Sequence, residues 1–197
     1  MSFFISLLPS MGARREPVWD ALPVAKIIQY PLERADYKPF AQARLCMTPE
    51  TLYLRLWAFE VSPEPSSSLA ACFALPEAGL EGSYLRLELS SGGVLSARFH
   101  EAGGGIRPVE HRLEEAKTFQ GEDLQGIYWG GVIRLPVSLL CELFGRFPQQ
   151  PGEHLRGNLY KLCTGERPHY GCFYTADFLA EDPYSPAYYG DFLLIER

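Results

Sequence analysis

The sequence predicts an all-β protein, a two-sheet antiparallel β-sandwich with one short helix, and three observations predict it. Short segments of alternating apolar and polar residues recur along the whole chain. Between them, 16 prolines and 18 glycines supply turns. The 12 phenylalanines, 11 tyrosines and 3 tryptophans are ring side chains that suit a pleated, half-buried surface better than a helix. A 47% hydrophobic composition excludes a disordered chain, and no run of about 18 apolar residues exists to cross a bilayer as a helix.

The expected strands are residues 3–7, 24–30, 41–47, 51–60, 69–75, 84–89, 94–100, 128–135, 155–163, 170–174 and 192–196. This is roughly ten strands by alternation. Residues 136–144 read as a helical turn or two, with Ser138 placed to cap Leu139 to Leu143. PEPSSS (63–68) and the run Gly103 to Gly105 mark exposed loops, the second a hairpin tip. No repeat or linker divides the chain, so residues 1–197 are expected to form a single domain.

The clearest strand is 51–60. Leu52, Leu54, Leu56 and Ala58 share one face, and Tyr53, Arg55, Trp57 and Phe59 share the other. The aliphatic face is core. Aromatic rings around an arginine make a surface that loops can cover or a ligand can use. The same parity puts Arg86 opposite Leu85 and Leu87, Arg98 opposite Ala97 and Phe99, Arg134 opposite Ile133 and Leu135, and Arg156, Asn158 and Tyr160 opposite Leu155 and Leu159. Five strands thus each send one arginine away from the core. Two readings follow: the arginines pair with glutamates such as Glu88 on a solvated sheet, or they line a concave face where rings bury the apolar side of a sugar and guanidinium groups hold its hydroxyls or carboxylates. Trp129 shares parity with Ile133 and reads as core, and Trp19 as an anchor for an N-terminal turn.

Charge and cysteine usage narrow the partners. The formal charge of −6 argues against nucleic acid and anionic membranes as partners. Fourteen of the 18 cations are arginine, the forked donor that grips flat acceptors. Five cysteines in no dense pattern read as reduced thiols, and MSFFISLLPS carries no positive residue ahead of its apolar stretch. A first strand retained in the mature protein and a cytoplasmic location are the expectation.

The segments LYLRLWAFE (52–60), YWGGVIRLPVSLL (128–140), RGNLYK (156–161), HYGCFYTADF (169–178) and SPAYYGDFLLIE (185–196) together resemble the family 9-like carbohydrate-binding modules, in the DOMON-like sandwich group, and in particular their stand-alone bacterial members. The resemblance covers most of the chain. It implies a β-sandwich that binds sugar ends without catalysis, clamps a ring between aromatic side chains and often carries structural calcium. By motif it carries over Arg156, Asn158 and Lys161 as polar contacts and Trp57 as a stacking surface. Lys161 requires a bulge or an edge position to take that role. Where these modules usually show a serine-tryptophan pair after the histidine loop, this chain has Cys172 and Phe173, so one aromatic wall is smaller. The loop bearing Asp177, Glu181 and Asp182 is acidic but does not have calcium-loop spacing.

Other chemistry finds little support. Cys163, His169 and Cys172 fall at a C-x5-H-x2-C spacing that suits zinc but lacks a fourth ligand. A glycosidase needs two carboxylates, and only Glu88 is placed on the arginine face, with Glu60 on the aliphatic parity. Nucleophile-elbow, zinc-protease and phosphate-loop motifs are missing from the sequence. The sequence therefore predicts a non-catalytic carbohydrate-binding protein, as a monomer or homodimer, holding a sugar or acidic glycan through Arg55, Trp57, Arg86, Arg156, Asn158 and Tyr160. The alternatives are a small sandwich glycoside hydrolase or lyase, and a partner-binding domain without a sugar ligand.

Overall fold

Alternation fixes which side chains face inward, and the computed structural model, described for residues 2–12, 15–32, 37–76 and 81–196, shows that face buried. The strands are β1 (Phe3–Leu7), β2 (Ala25–Ile27), β3 (Ala41–Met47), β4 (Thr51–Phe59), β5 (Ser68–Ala74), β6 (Tyr84–Ser90), β7 (Leu95–His100), β8 (Ile106–Pro108), β9 (Glu115–Asp123), β10 (Gly126–Pro136), β11 (His154–Cys163), β12 (His169–Cys172) and β13 (Gly190–Glu196). Among the described residues a single α-helix, α1 (Val137–Phe144), follows β10.

Hydrogen bonding runs in one path, β8-β7-β6-β5-β11-β13-β1-β3-β4-β10-β9, with β12 added to β11 and β2 to β3. The sheet curls so that its two halves close on one core. Residues from both ends, among them Leu54, Ile133, Leu87, Leu155 and Phe192, belong to the same buried cluster. Helix α1 adds Val137, Leu139, Leu140, Leu143 and Phe144 to the core. An isolated bridge between Gln29 and Cys172 straps the β2 end to β12.

Four expectations need correction. The sandwich is mixed, because β1 runs parallel to both of its neighbours, β13 and β3; a two-residue period reports facing but carries no strand direction. Strands β8 and β9 were not expected, since they lie at the two ends of the path, where most of their side chains meet water and no apolar alternation is needed. Ser138 does not cap α1: Pro136 is the N-cap residue, without a side-chain cap bond, and Gly145 ends the helix at a φ of 77°. The Gly103 to Gly105 run is a hairpin tip as expected, between β7 and β8, with Gly104 at a φ of 86°. In the other expected loop, PEPSSS (63–68), Ser67 is fully buried rather than exposed.

Candidate functional site

The five outward arginines divide between two surfaces. Arg55 and Arg134 lie on the outer face of the half formed by β3, β4, β10 and β9, whereas Arg86, Arg98 and Arg156 lie on the outer face of the half formed by β7, β6, β5 and β11. The aliphatic core separates the two faces. The six expected ligand contacts therefore form two groups rather than one hollow.

On the first face, strand register builds a grid. One row reads Gln42, Trp57, Gly130, Phe119; the next reads Arg44, Arg55, Val132, Lys117. Beyond the first row lie Phe59 and Tyr128, a directly opposed pair whose rings are 5.7 Å apart. Phe40 and Phe119 extend the strip at 5.8 Å and 6.2 Å. All four of these rings are half-buried, so each keeps an open edge or face. Gly130 stands between Trp57 and Phe119 and adds no side chain; a Cβ there would run into the backbone of Leu56 and Trp57.

Of the two readings of this face, covered by loops or open to a ligand, the first holds for Tyr53 and Trp57. Tyr53 is 2% exposed and Trp57 8%; the N-terminal segment packs against Tyr53 with Trp19, Leu22, Leu8 and Met11, and the Trp57 ring faces the guanidinium groups of Arg44 and Arg55. Arg44 holds that segment by donating to the carbonyls of Trp19 and Leu22. Arg134 donates to the Tyr53 hydroxyl at 3.3 Å and pairs with Glu114 and Glu115. Arg55 is different. Its guanidinium sits 5.0 Å from the Trp57 and Phe119 ring centres and 5.9 Å from Trp19, yet it makes no hydrogen bond or ion pair with the described residues, and its Nε is buried.

On the opposite face, the segment 173–189 folds down over β11 and β5. Asn158 is fully buried and is its anchor: Nδ2 donates to the carbonyls of Tyr174 (2.8 Å) and Tyr188 (3.0 Å), and Oδ1 accepts from the amides of Tyr174 and Leu159. Arg156 donates to the carbonyl of Tyr189. Tyr160, also buried, donates to the carbonyl of Pro183 at 3.3 Å, and burial drives its phenol well above the usual range. Arg86 stacks on Tyr184, 3.6 Å from the ring centre, and is bonded to Glu88. Asn158, Arg156 and Tyr160 thus hold the loop by hydrogen bonds, and Arg86 holds it by stacking on Tyr184.

Sequence parity did not reveal a third cluster, which lies inside the sandwich. Glu60, at the end of β4, accepts from Trp129 Nε1 (2.9 Å) and Ser67 Oγ (2.8 Å) and lies 3.1 Å from Lys161 Nζ, all through Oε2. Lys161 also donates to Ser67 (2.6 Å) and meets His169 Nε2 at 2.8 Å, while His169 Nδ1 lies 2.9 Å from the Arg167 carbonyl. That arrangement defines a neutral imidazole, protonated on Nδ1 and accepting at Nε2 from the ammonium. Burial and the neighbouring Lys161 charge hold His169 below its ordinary value. Burial raises the Glu60 carboxyl, but Lys161 and the Trp129 and Ser67 donors outweigh it and leave Glu60 below the carboxylate range. Burial pulls Lys161 down, with Glu60 opposing. Lys161 thus shares the core parity of Leu159 and needs no bulge, because a counterion reaches it from another strand.

The sequence matches no protein-family model and no curated protein. Among solved structures, a candidate carbohydrate-binding protein from Bacteroides uniformis aligns over 98% of this chain and 100% of its own, with a TM-score of 0.72 and 18% identity. A family 9 carbohydrate-binding module from Caldicellulosiruptor kristjanssonii, solved with glucose, covers 100% of this chain and 97% of its own, with a TM-score of 0.67 and 12% identity. One from the same organism, solved with cellotriose, covers 100% and 95%, with a TM-score of 0.65 and 13% identity. The fold is that of the family 9 carbohydrate-binding modules.

Within this family 9 fold, the metal chemistry raised by the sequence does not fit the side chains. Asp177 Oδ1 accepts from the amide of Leu179, and Asp182 accepts from the Tyr84 hydroxyl of β6 and from the amide of Tyr184, so these carboxylates are engaged within the protein. Among the described residues, no three His, Cys, Asp or Glu side chains are grouped to hold a metal ion. The zinc spacing dissolves likewise, since both His169 nitrogens are engaged. The two carboxylates a glycosidase would draw on, Glu60 and Glu88, are each held in an ion pair with a cation on their own side of the sheet.

Proposed function

We propose that this chain is a non-catalytic carbohydrate-binding protein whose ligand rests on the outer face of β3, β4, β10 and β9. The exposed parts of Phe59, Tyr128 and Phe119 would bury the C–H face of a sugar ring, with Gln42 and Arg55 at its rim. The observation that carries this reading is Arg55. A guanidinium presents five N–H donors and pairs best with a carboxylate, yet here it is set among rings and finds no acceptor among the described residues. Arg44 lies directly opposite it in the ladder, and its ion partner Asp20 is 3.5 Å away on a side chain 95% exposed. Two adjacent cations with one solvated counterion favour a sugar acid over a neutral sugar. The fold neighbours solved with glucose and cellotriose support a carbohydrate as the ligand class.

Isothermal titration with glucose, cellotriose, glucuronate and oligogalacturonate tests the reading on the parent chain and on Arg55→Ala, Tyr128→Ala and Arg156→Ala. Acidic sugars should bind, Arg55→Ala should lose at least tenfold in affinity for them, and Arg156→Ala, on the far face, should leave affinity unchanged. Absence of heat with every sugar, or an unaltered Arg55→Ala isotherm, would overturn it.

A further inference from the structure

The two halves of the curled sheet meet again at the mouth of the sandwich, where the β6–β7 hairpin tip reaches β9 and β10. Glycine makes the approach close. A Cβ on Gly93, whose φ is 83°, would touch the Thr118 side chain at 3.4 Å, and one on Gly131 would lie 2.7 Å from Leu89 Cδ2. Between tip and strands lies a groove of about 400 Å3, lined by Ser90, Ser91, Gly93, Thr118, Gln120 and Trp129, with Phe119 and Gly130 at one wall. That volume falls among small-molecule sites, which run from roughly 300 to 1,000 Å3.

The chemistry of the lining is specific in two respects. It carries no ionised side chain, so a charged ligand would lose hydration there without gaining a partner. It does carry hydroxyl and amide groups with unused capacity. The Thr118 hydroxyl and Gln120 amide make no hydrogen bond with the described residues. Ser90 Oγ accepts from the Val94 amide at 3.1 Å and keeps its proton, and Ser91 Oγ donates to the Glu64 carbonyl at 2.7 Å and keeps its lone pairs. Groups that both donate and accept match a ligand made of hydroxyls. The floor is also fixed in advance: the Trp129 indole is tied by its N–H to Glu60, which Lys161 and Ser67 hold in turn. A wall that does not have to be ordered on binding retains more of the contact energy.

We propose that this groove is a second binding site, for a neutral hexose or similar polyol, with Ser90, Thr118 and Gln120 reading hydroxyls above the edge of Trp129. It shares only Phe119 and Gly130 with the outer face and does not rest on that face binding sugar acids. The test is titration of glucose, myo-inositol and glucuronate into the parent chain, into Thr118→Ala/Gln120→Ala and into Arg55→Ala, with urea unfolding to confirm that each variant folds. Both groove side chains are exposed, so folding should persist. Glucose or inositol affinity should fall at least tenfold in the double variant and stay within twofold in Arg55→Ala, while glucuronate shows the reverse. Neutral ligands that fail to bind the parent chain, or bind the double variant equally well, overturn the groove site. So does a glucose affinity lost only in Arg55→Ala, which would put the neutral sugar on the outer face. Glucuronate insensitive to Arg55→Ala would instead sink the outer-face reading and leave the groove standing.

Discussion

Replacing Lys161 by Met isolates the energetics of the buried cluster. Methionine keeps the unbranched stem and roughly the volume, so packing changes little, but Glu60 is left as a buried carboxylate whose cation is gone. Both side chains are essentially inaccessible, at 0% and 2%. Removing one member of such a pair costs about 3–5 kcal/mol, a loss of more than a hundredfold in the folding equilibrium constant. The pH dependence sharpens the expectation. In the parent chain, His169 and Glu60 both sit below their ordinary values. The unfolded chain therefore takes up protons first on acidification, and stability falls as pH drops below about 6.5 and again below about 4.5.

In Lys161→Met, His169 Nε2 no longer faces an ammonium but still lies 3.6 Å from Glu60 Oε1. Losing that charge should raise the folded-state value of Glu60, whose burial then faces only the Trp129 and Ser67 donors, and should weaken the depression of His169, which its own burial still imposes. Both changes reduce the stability that the parent loses on acidification. The fall in stability from pH 8 to pH 5.5 should therefore be shallower than in the parent. Urea unfolding followed by tryptophan fluorescence at pH 8 and pH 5.5 reads this directly. The deficit should shrink from about 3–5 to about 1–2 kcal/mol on acidification, and adding Glu60→Gln, which keeps an acceptor for Trp129, should recover part of it at pH 8. A variant within about 1 kcal/mol of the parent at pH 8, with the parent's slope, would refute the assignment of Lys161 as the counterion.

Three further expectations follow from the packing. Asn158→Ala strands two carbonyls and an amide of the 173–189 segment and should cost about 2–4 kcal/mol; proteolysis should then begin within that segment, and cleavage elsewhere first would contradict the anchor role. Gly130→Ala would drive a methyl into the Leu56 carbonyl and to 2.7 Å from Trp57 Cα, costing at least about 2 kcal/mol in denaturant unfolding; a neutral effect would mean that β4 and β10 can separate cheaply. Cys46, Cys72, Cys163 and Cys172 are buried, and burial pushes the Cys72 thiol up to about 12, so brief native alkylation read by mass spectrometry should mark Cys141 alone.

Much of the sandwich was legible because residue alternation is a local property of the backbone. The limits of β1 and β3 and the inward set Leu52, Leu54, Leu56 and Ala58 appear as expected. The outward positions of Arg55, Arg86, Arg156, Asn158 and Tyr160 were legible for the same reason. What covers those positions was not. The segment over Asn158 comes from the far end of β12, and the one over Tyr53, on the face of Arg55, from ahead of β2, and a period of two contains no information about distant chain. The strip of Phe40, Phe59, Tyr128 and Phe119 was equally hidden, since it exists only once four strands fall into register.

The sequence by itself determined which side of each strand is apolar, because that choice is made residue by residue through the pleat. Only the tertiary structure decided that β1 runs parallel to its neighbours, that two arginine groups back onto opposite surfaces, and that Lys161 meets Glu60 and His169 in the interior. Each of these depends on contacts between residues far apart in the chain, where desolvation and pairing are settled only when the strands come together.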